Sequence, residues 1–231
     1  NFEKEFGSEV IERGKKVKLV ITDVDGVLTD GSIYKGGNEI TYKSFNNFEL
    51  KKFSVLDGAG VALARLLDFH IAFISGRKSS ATDIRANELN ITDVYNGTLN
   101  KMTPYKDLKS KYSLNDEDIA FIGDDIIDLN LMEIVGAPIA VANAYHLVKD
   151  IAIFTTHLPG GQGAFREAID WLAMCQGRYE EGIQLMKEGA EYEFFIHPKL
   201  AYGERKNNNI PPNSVLLFKV ELEKVFDKNI K

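Results

Sequence analysis

Short apolar runs that stop on small or acidic residues recur along the first three quarters of the chain. One of them, Val17, Leu19, Val20 and Ile21, lies within Lys16 to Val24, which predicts a buried strand ending at the turn signal Asp25-Gly26. From Gly58 to Phe69 the apolar positions Val61, Leu63, Ala64, Leu66 and Leu67 return at helical spacing, with Asp57 as the expected N-cap. The run His70 to Ile74 then ends at Ser75-Gly76. The alternation continues with a helix from Ser79 to Leu89, a strand from Ile91 to Tyr95, a helix from Pro104 to Tyr112 and a strand from Ile119 to Ile122. A helix from Ile126 to Val135, short runs at Pro138 to Val141 and Ala152 to Phe154, and a last helix from Ala164 to about Cys175 complete it. Strands alternating with helices of this length predict right-handed crossovers and an α/β fold with a doubly wound parallel sheet. Gly31 to Phe45 alternates weakly around Gly36-Gly37, the pattern of a hairpin flap.

After Gly177 the rhythm breaks. A helix (Glu180 to Lys187), a strand (Ala190 to Ile196), a loop carrying Asn207-Asn208-Asn209 and Pro211-Pro212, and a strand (Ser214 to Val225) are antiparallel in character. The expected organisation is an extension over residues 1–15, a main domain over 16–176 and a separate piece over 177–231.

Composition narrows the class. With 44% hydrophobic and 27% charged residues in 231, the chain can bury a sizeable core. Its apolar runs are strand-length, far below the roughly 20 residues of a membrane helix. A net charge of -6 and a pI near 5.4 leave no electrostatic footprint for nucleic acid. Residues 177–231 carry nine basic and nine acidic side chains, so the surplus of acid lies wholly in the first 176. Cys175 is the only cysteine, which excludes an internal disulfide and favours a reducing compartment. The opening Asn1-Phe2-Glu3-Lys4 lacks the progression of a signal peptide, and a cytoplasmic location is expected.

In doubly wound sheets ligands bind beyond the carboxyl ends of the strands. Here those ends read Asp23-Val24-Asp25, Ser75-Gly76-Arg77, Asn96-Gly97 and Gly123-Asp124-Asp125. Asp23 and Asp25 stand two apart, so in extended backbone both side chains leave one face, an arrangement of two anions that needs a cation. Asp124, Asp125 and Asp128 follow a second strand in the same way, and hard oxygen ligands on neighbouring loops suit Mg2+. Either cluster alone is equally well explained by N-caps and turns; both together, with the residues at the other strand ends, are not. The Ser75 hydroxyl and the N–H groups after it, beginning at Gly76, can face a phosphate, with Arg77 adding a fork of charged donors. Lys101, five residues past Asn96, lies within reach of the same edge.

This constellation resembles the haloacid dehalogenase superfamily of phosphatases. Asp23-Val24-Asp25-Gly26-Val27-Leu28-Thr29-Asp30 is similar to its first motif, Ser75 to its second, Lys101 to its third, and Gly123-Asp124-Asp125 with Asp128 to its fourth. Lys52-Phe53-Ser54-Val55-Leu56-Asp57-Gly58 and Gly160-Gly161-Gln162-Gly163-Ala164-Phe165-Arg166-Glu167 narrow the resemblance to the small capless type acting on 3-deoxy-D-manno-octulosonate 8-phosphate, over about residues 16–176. The resemblance implies a Rossmann-like core with a β-hairpin flap at Gly31 to Thr41. It implies Mg2+ held by the Asp23 carboxylate, the Asp25 carbonyl and Asp124. Asp23 is then the nucleophile, Asp25 the acid and base, Ser75 and Lys101 hold the phosphate, and Asp125 and Asp128 orient Lys101 or metal-bound water. It also implies a homotetramer that closes the site between subunits. The connection from Ser44 to Leu50 departs from the family pattern by its length. A nonulosonate 9-phosphate or another small phosphorylated metabolite is the alternative substrate.

Residues 178–226 resemble the second half of an FKBP-type prolyl isomerase. Tyr179 falls where that family has the Trp of its pocket floor, Tyr202, Ile210 and Phe218 match other pocket residues, and His197 stands where Pro or Ser is frequent. The family's first half has no counterpart in residues 1–176. An incomplete segment of about 50 residues is marginal on its own. A binding or folding-assistance protein is therefore the alternative of another class, and a half pocket beside a full set of carboxylates argues against it.

Overall fold

The computed structural model describes residues 2–36, 48–180, 191–196, 211–212, 214 and 216–221. It divides into two units, Asn1–Tyr179 and Glu180–Lys231. In chain order the strands of the first unit are β1 (Leu19–Thr22), β2 (Tyr34–Gly36), β3 (Phe48–Leu50), β4 (His70–Ser75), β5 (Asp93–Asn96), β6 (Ile119–Gly123), β7 (Ala137–Ala140) and β8 (Phe154–Thr155). The helices are α1 (Phe2–Phe6), α2 (Ser8–Lys15), α3 (Val55–Leu66), α4 (Ser80–Glu88), α5 (Met102–Lys111), α6 (Leu129–Met132), α7 (His146–Ile151) and α8 (Ala164–Cys175).

Six strands form one parallel sheet in the order β5-β4-β1-β6-β7-β8. Every residue of β1 and β6 is buried, as a strand covered by helices on both faces requires. The chain steps from β1 to β4 and β5 in one direction, then crosses back to β6 and proceeds to β7 and β8 in the other. That reversal puts the switch point at β1, where a crevice opens beyond the carboxyl edge. Thr22 is level with Phe73 of β4 and Ile122 of β6, so β6 runs one residue and β4 two residues past the end of β1 on the same edge. The doubly wound parallel sheet expected from the sequence is the fold observed.

Several local expectations are corrected. Asp57 does not cap α3: Ser54 does, accepting from the Leu56 N–H. Asp57 lies in the first turn of α3, buried, and its Oδ1 accepts the Arg166 N–H at 3.2 Å, so it caps the start of α8 across the α3–α8 contact. The segment after β6 is not one helix to Val135 but a 3-10 turn, Ile126–Asp128, followed by the single turn α6. The hairpin does not turn at Gly36, which pairs with Phe48 as Tyr34 does with Leu50. Its tip, including the Phe45 to Asn47 part of the long connection, lies outside the described residues. Before Lys16 the chain makes two helices whose Phe6 packs edge-on against Phe154 and Trp171, at 5.8 and 6.2 Å between ring centroids. Gly14 of α2 lies so close to α8 that an added Cβ would stand 2.6 Å from Cys175 Sγ.

Burial pushes the Asp57 carboxyl up, to about 6, against the pull of the Arg166, Gly163 and Phe165 N–H groups. Its value in the unfolded chain is about 4. The folded chain therefore keeps a proton that the unfolded chain releases, and this stability is full below about pH 4 and lost as pH rises through about 6. Asp57→Asn should remove that part of the pH dependence, on the order of 3 kcal/mol between pH 4 and pH 7. Urea midpoints of both proteins across this range check it; parallel curves would contradict it.

In the second unit β9 (Glu191–Ile196) and β10 (Leu216–Glu221) pair antiparallel, Ile196 opposite Leu216. The expected strands and their antiparallel sense are therefore present. The expected helix beyond Glu180, the Asn207-Asn208-Asn209 loop, and His197, Tyr202 and Ile210 lie outside the described residues. Among the described residues no helix is long and apolar enough to cross a membrane.

Candidate active site

The Asp23 N–H donates to the Ile122 carbonyl at 2.9 Å, carrying the β1–β6 pairing one residue past the strand and placing Asp23 on the carboxyl edge. The loop behind it is stitched by Thr29, whose hydroxyl accepts from the Gly26 N–H and donates to the Val24 carbonyl, both at 3.3 Å. Gly26 has φ 104°, and a Cβ there would come within 2.0 Å of Asp124 Oδ2, so only glycine lets the two acidic loops approach this closely.

Asp23 is buried at the centre. Lys101, also buried, bonds Asp23 Oδ1 on one side and Asp128 Oδ1 at 2.5 Å on the other, with its ammonium 5.3 Å from the Phe121 ring centroid. Asp128 is itself held, its Oδ2 accepting the N–H groups of Asp124 at 3.0 Å and Asp125 at 3.3 Å. Burial works against the Lys101 ammonium, but Asp23 and Asp128 outweigh it and hold its pKa above the usual lysine value. Burial, with Asp128 and Asp25 adding to it, drives Asp23 well above the ordinary carboxylate range despite Lys101. Asp124 is pushed up to about 8, by burial first and then by the charges of Asp23 and Asp128.

Asp25 is gripped from two sides. Ser75, the last residue of β4, donates from Oγ to the Arg77 carbonyl at 2.8 Å and has Asp25 Oδ2 3.1 Å from the same oxygen, and Lys51 Nζ lies 2.7 Å from Asp25 Oδ1. The Arg77 N–H donates to Ser75 Oγ at 3.2 Å, so the turn through Gly76 is folded back on the hydroxyl. Arg77 Nη2 pairs with Glu49 at 2.8 Å, while its Nη1 is buried with no protein partner among the described residues. An orphan guanidinium donor on this edge is a free hand for an anionic ligand.

Asp23, Asp25, Ser75, Lys101, Asp124 and Asp128 thus meet at one sheet edge, with Gly76 and Arg77 beside Ser75. Asp125 stands apart. Its side chain is exposed and accepts the Ile126 N–H at 2.7 Å, closing a capping box with Asp128 at the 3-10 turn. Of that expected pair, Asp128 alone holds Lys101. Lys51 and Glu49 were absent from the sequence-predicted set. In sequence Lys51 reads as half of a solvated Lys51-Lys52 pair, and no signal there singles it out.

Four carboxylates, Asp23, Asp25, Asp124 and Asp128, face two ammonium groups, Lys51 and Lys101. The surplus of two negative charges, which adds to burial in raising Asp124, fits a divalent cation at Asp23 and Asp124. Among the described residues no three acidic, His or Cys side chains converge on one point.

A family model of haloacid dehalogenase-like hydrolases matches residues 67–159, and one of FKBP-type peptidyl-prolyl cis-trans isomerases matches residues 174–223. The 3-deoxy-D-manno-octulosonate 8-phosphate phosphatase of Escherichia coli K12 is 41% identical over 174 residues, which cover 75% of this chain and 88% of the relative. The crystal structure of the Yersinia pestis phosphatase of the same name superposes with a TM-score of 0.69 at 38% identity, over 75% of this chain and 89% of that one. That of Moraxella catarrhalis, in complex with magnesium ion, phosphate ion and a KDO molecule, superposes with a TM-score of 0.71 at 31% identity, over 78% of this chain and 99% of that one.

Proposed function

Because the chain belongs to the 3-deoxy-D-manno-octulosonate 8-phosphate phosphatases among the haloacid dehalogenase-like hydrolases, we propose that its carboxyl-edge cluster works as a two-step phosphatase with Asp23 as nucleophile. The enzyme hydrolyses the 8-phosphate to 3-deoxy-D-manno-octulosonate and phosphate with Mg2+ as cofactor. When bound, Mg2+ supplies neutralisation of the phosphoryl charge, and the Asp23 carboxylate, the Asp25 carbonyl and Asp124 are the groups to hold it.

The chain's own residues do the rest. Ser75 Oγ, the N–H groups after it and Lys101 bind the phosphoryl oxygens. An Asp23 carboxylate oxygen attacks phosphorus, and the P–O bond to the sugar breaks as Asp25 gives its proton to the leaving oxygen. Asp25 then takes a proton from water as that water attacks the aspartyl-phosphate, releasing phosphate and restoring Asp23. Asp128 keeps Lys101 on the nucleophile. Arg77, with its unpaired Nη1, is placed for the sugar acid. The single observation that carries this reading is the buried Lys101 bridging Asp23 and Asp128 one loop away from Asp124.

Assembly as a homotetramer is part of the reading. Leu50, Val55, Leu56, Leu99, Ile126 and Ile127 stand exposed in the segments that follow the strand ends, an apolar rim suited to cover by neighbouring subunits. The domain division at 16–176 and 177–231 is proposed likewise, with the C-terminal segment taking no part in phosphate release. Phosphate release from a panel of phosphorylated sugars tests the function. The octulosonate 8-phosphate should exceed hexose phosphates by more than about tenfold in kcat/KM; a hexose phosphate that outruns every keto-deoxy acid would overturn it.

A further inference from the structure

We propose that Lys51, at the base of the flap, is a positioning residue for Asp25: its ammonium occupies Oδ1, so that the proton Asp25 transfers is carried on Oδ2, beside Ser75. The proposal rests on the acid–base role given to Asp25 above.

Lys51 follows the last residue of β3, and two residues on Phe53 bridges to Thr29 of the catalytic loop. Its side chain is 0% exposed, against 61% for the adjacent Lys52. Burying an ammonium is costly unless its donors are engaged, and here Nζ lies 2.7 Å from Asp25 Oδ1 and donates to Thr82 Oγ1 of α4 at 3.1 Å. Glu49, two residues earlier, pairs with Arg77 at 2.8 Å and is 4.0 Å from the same Nζ. The returning strand of the flap is therefore fastened to both the acid–base group and the Ser75-Gly76-Arg77 turn.

An ammonium has donors only. While it holds Oδ1, a proton on the Asp25 carboxyl can reside only on Oδ2, the oxygen 3.1 Å from Ser75 Oγ and thus on the phosphate side. In the first step the sugar P–O bond breaks, an Asp23 oxygen bonds to phosphorus, and the Oδ2 proton passes to the leaving alkoxide. In the second step Oδ2 receives the proton of the attacking water. Without Lys51 the carboxyl can rotate, and the proton is then distributed over two oxygens of which only one faces the reaction.

The test compares leaving groups in the first step alone, as the rate constant for release of the alcohol in a single turnover with enzyme in excess, because the second step needs the same base whatever the substrate. A sugar alkoxide needs a proton to depart, whereas p-nitrophenolate does not. Lys51→Met should lower that rate constant for the octulosonate 8-phosphate by about tenfold to a hundredfold, with the half-saturating concentration little changed, and for p-nitrophenyl phosphate by less than about threefold. Thr82→Val, which removes the second partner of Nζ, should give the same pattern at smaller size, and it decides the matter if Lys51→Met does not fold. Equal first-step losses on the two substrates, or a raised half-saturating concentration at an unchanged rate constant, would overturn the proposal if Asp25→Asn shows the selective loss. If Asp25→Asn itself slows the first step equally on the two substrates, the acid–base reading beneath it falls.

Discussion

Asp23→Asn should leave a folded protein whose phosphate release falls by roughly 10^4-fold or more, equivalent to about 5 kcal/mol or more of barrier. The amide nitrogen is no nucleophile and the amide oxygen is a poor one, so the aspartyl-phosphate step is lost rather than slowed. Nothing in the packing should suffer. Asp23 is buried and its carboxyl is held above the ordinary range chiefly by that burial, so exchanging it for a neutral isostere relieves desolvation while giving up the bond to Lys101. The melting temperature is accordingly expected to stay level or rise. Phosphate release and a thermal melt on the same sample settle the point. Retained turnover would remove Asp23 from the chemistry, and loss of turnover with a collapsed melt would make its role structural.

The central strands and the carboxylates at their ends were legible because both signals are local. A run such as Ile119 to Ile122 is buried on both faces, and the Gly-Asp-Asp after it is where such a strand must turn, so element and edge are read together. Ser75 and Lys101 gained meaning the same way, each by its distance from a strand end. What stayed hidden depends on contacts distant in sequence. Asp57 looks like an N-cap of its own helix, and it does cap a helix, but one that begins more than a hundred residues later. The 3-10 break after β6 is set by the Asp125–Asp128 capping box, which competes with a regular helix that the apolar positions would also satisfy. Lys51 and Lys52 are chemically the same, and only the docking of the flap separates a buried partner of Asp25 from a solvated one.

Lys101→Met is the substitution expected to damage stability and turnover together. Lys101 is 3% exposed and lies between two carboxylates that are themselves buried. Breaking a buried pair from one side leaves uncompensated charge, at a cost of about 3–5 kcal/mol, and here two anions lose their partner at once. Turnover should fall by at least about a hundredfold, since a charged donor to the transferring phosphoryl group is removed from a water-poor site. The two losses are separable. Adding Asp128→Asn removes one of the stranded charges, so the double variant should recover part of the stability while its turnover stays low. Urea unfolding and phosphate release on the two variants would read this out. A double variant no more stable than Lys101→Met alone would show that Asp128 acts through the backbone N–H groups of Asp124 and Asp125 rather than through Lys101, and recovered turnover would show that the ammonium serves the fold and not the phosphate.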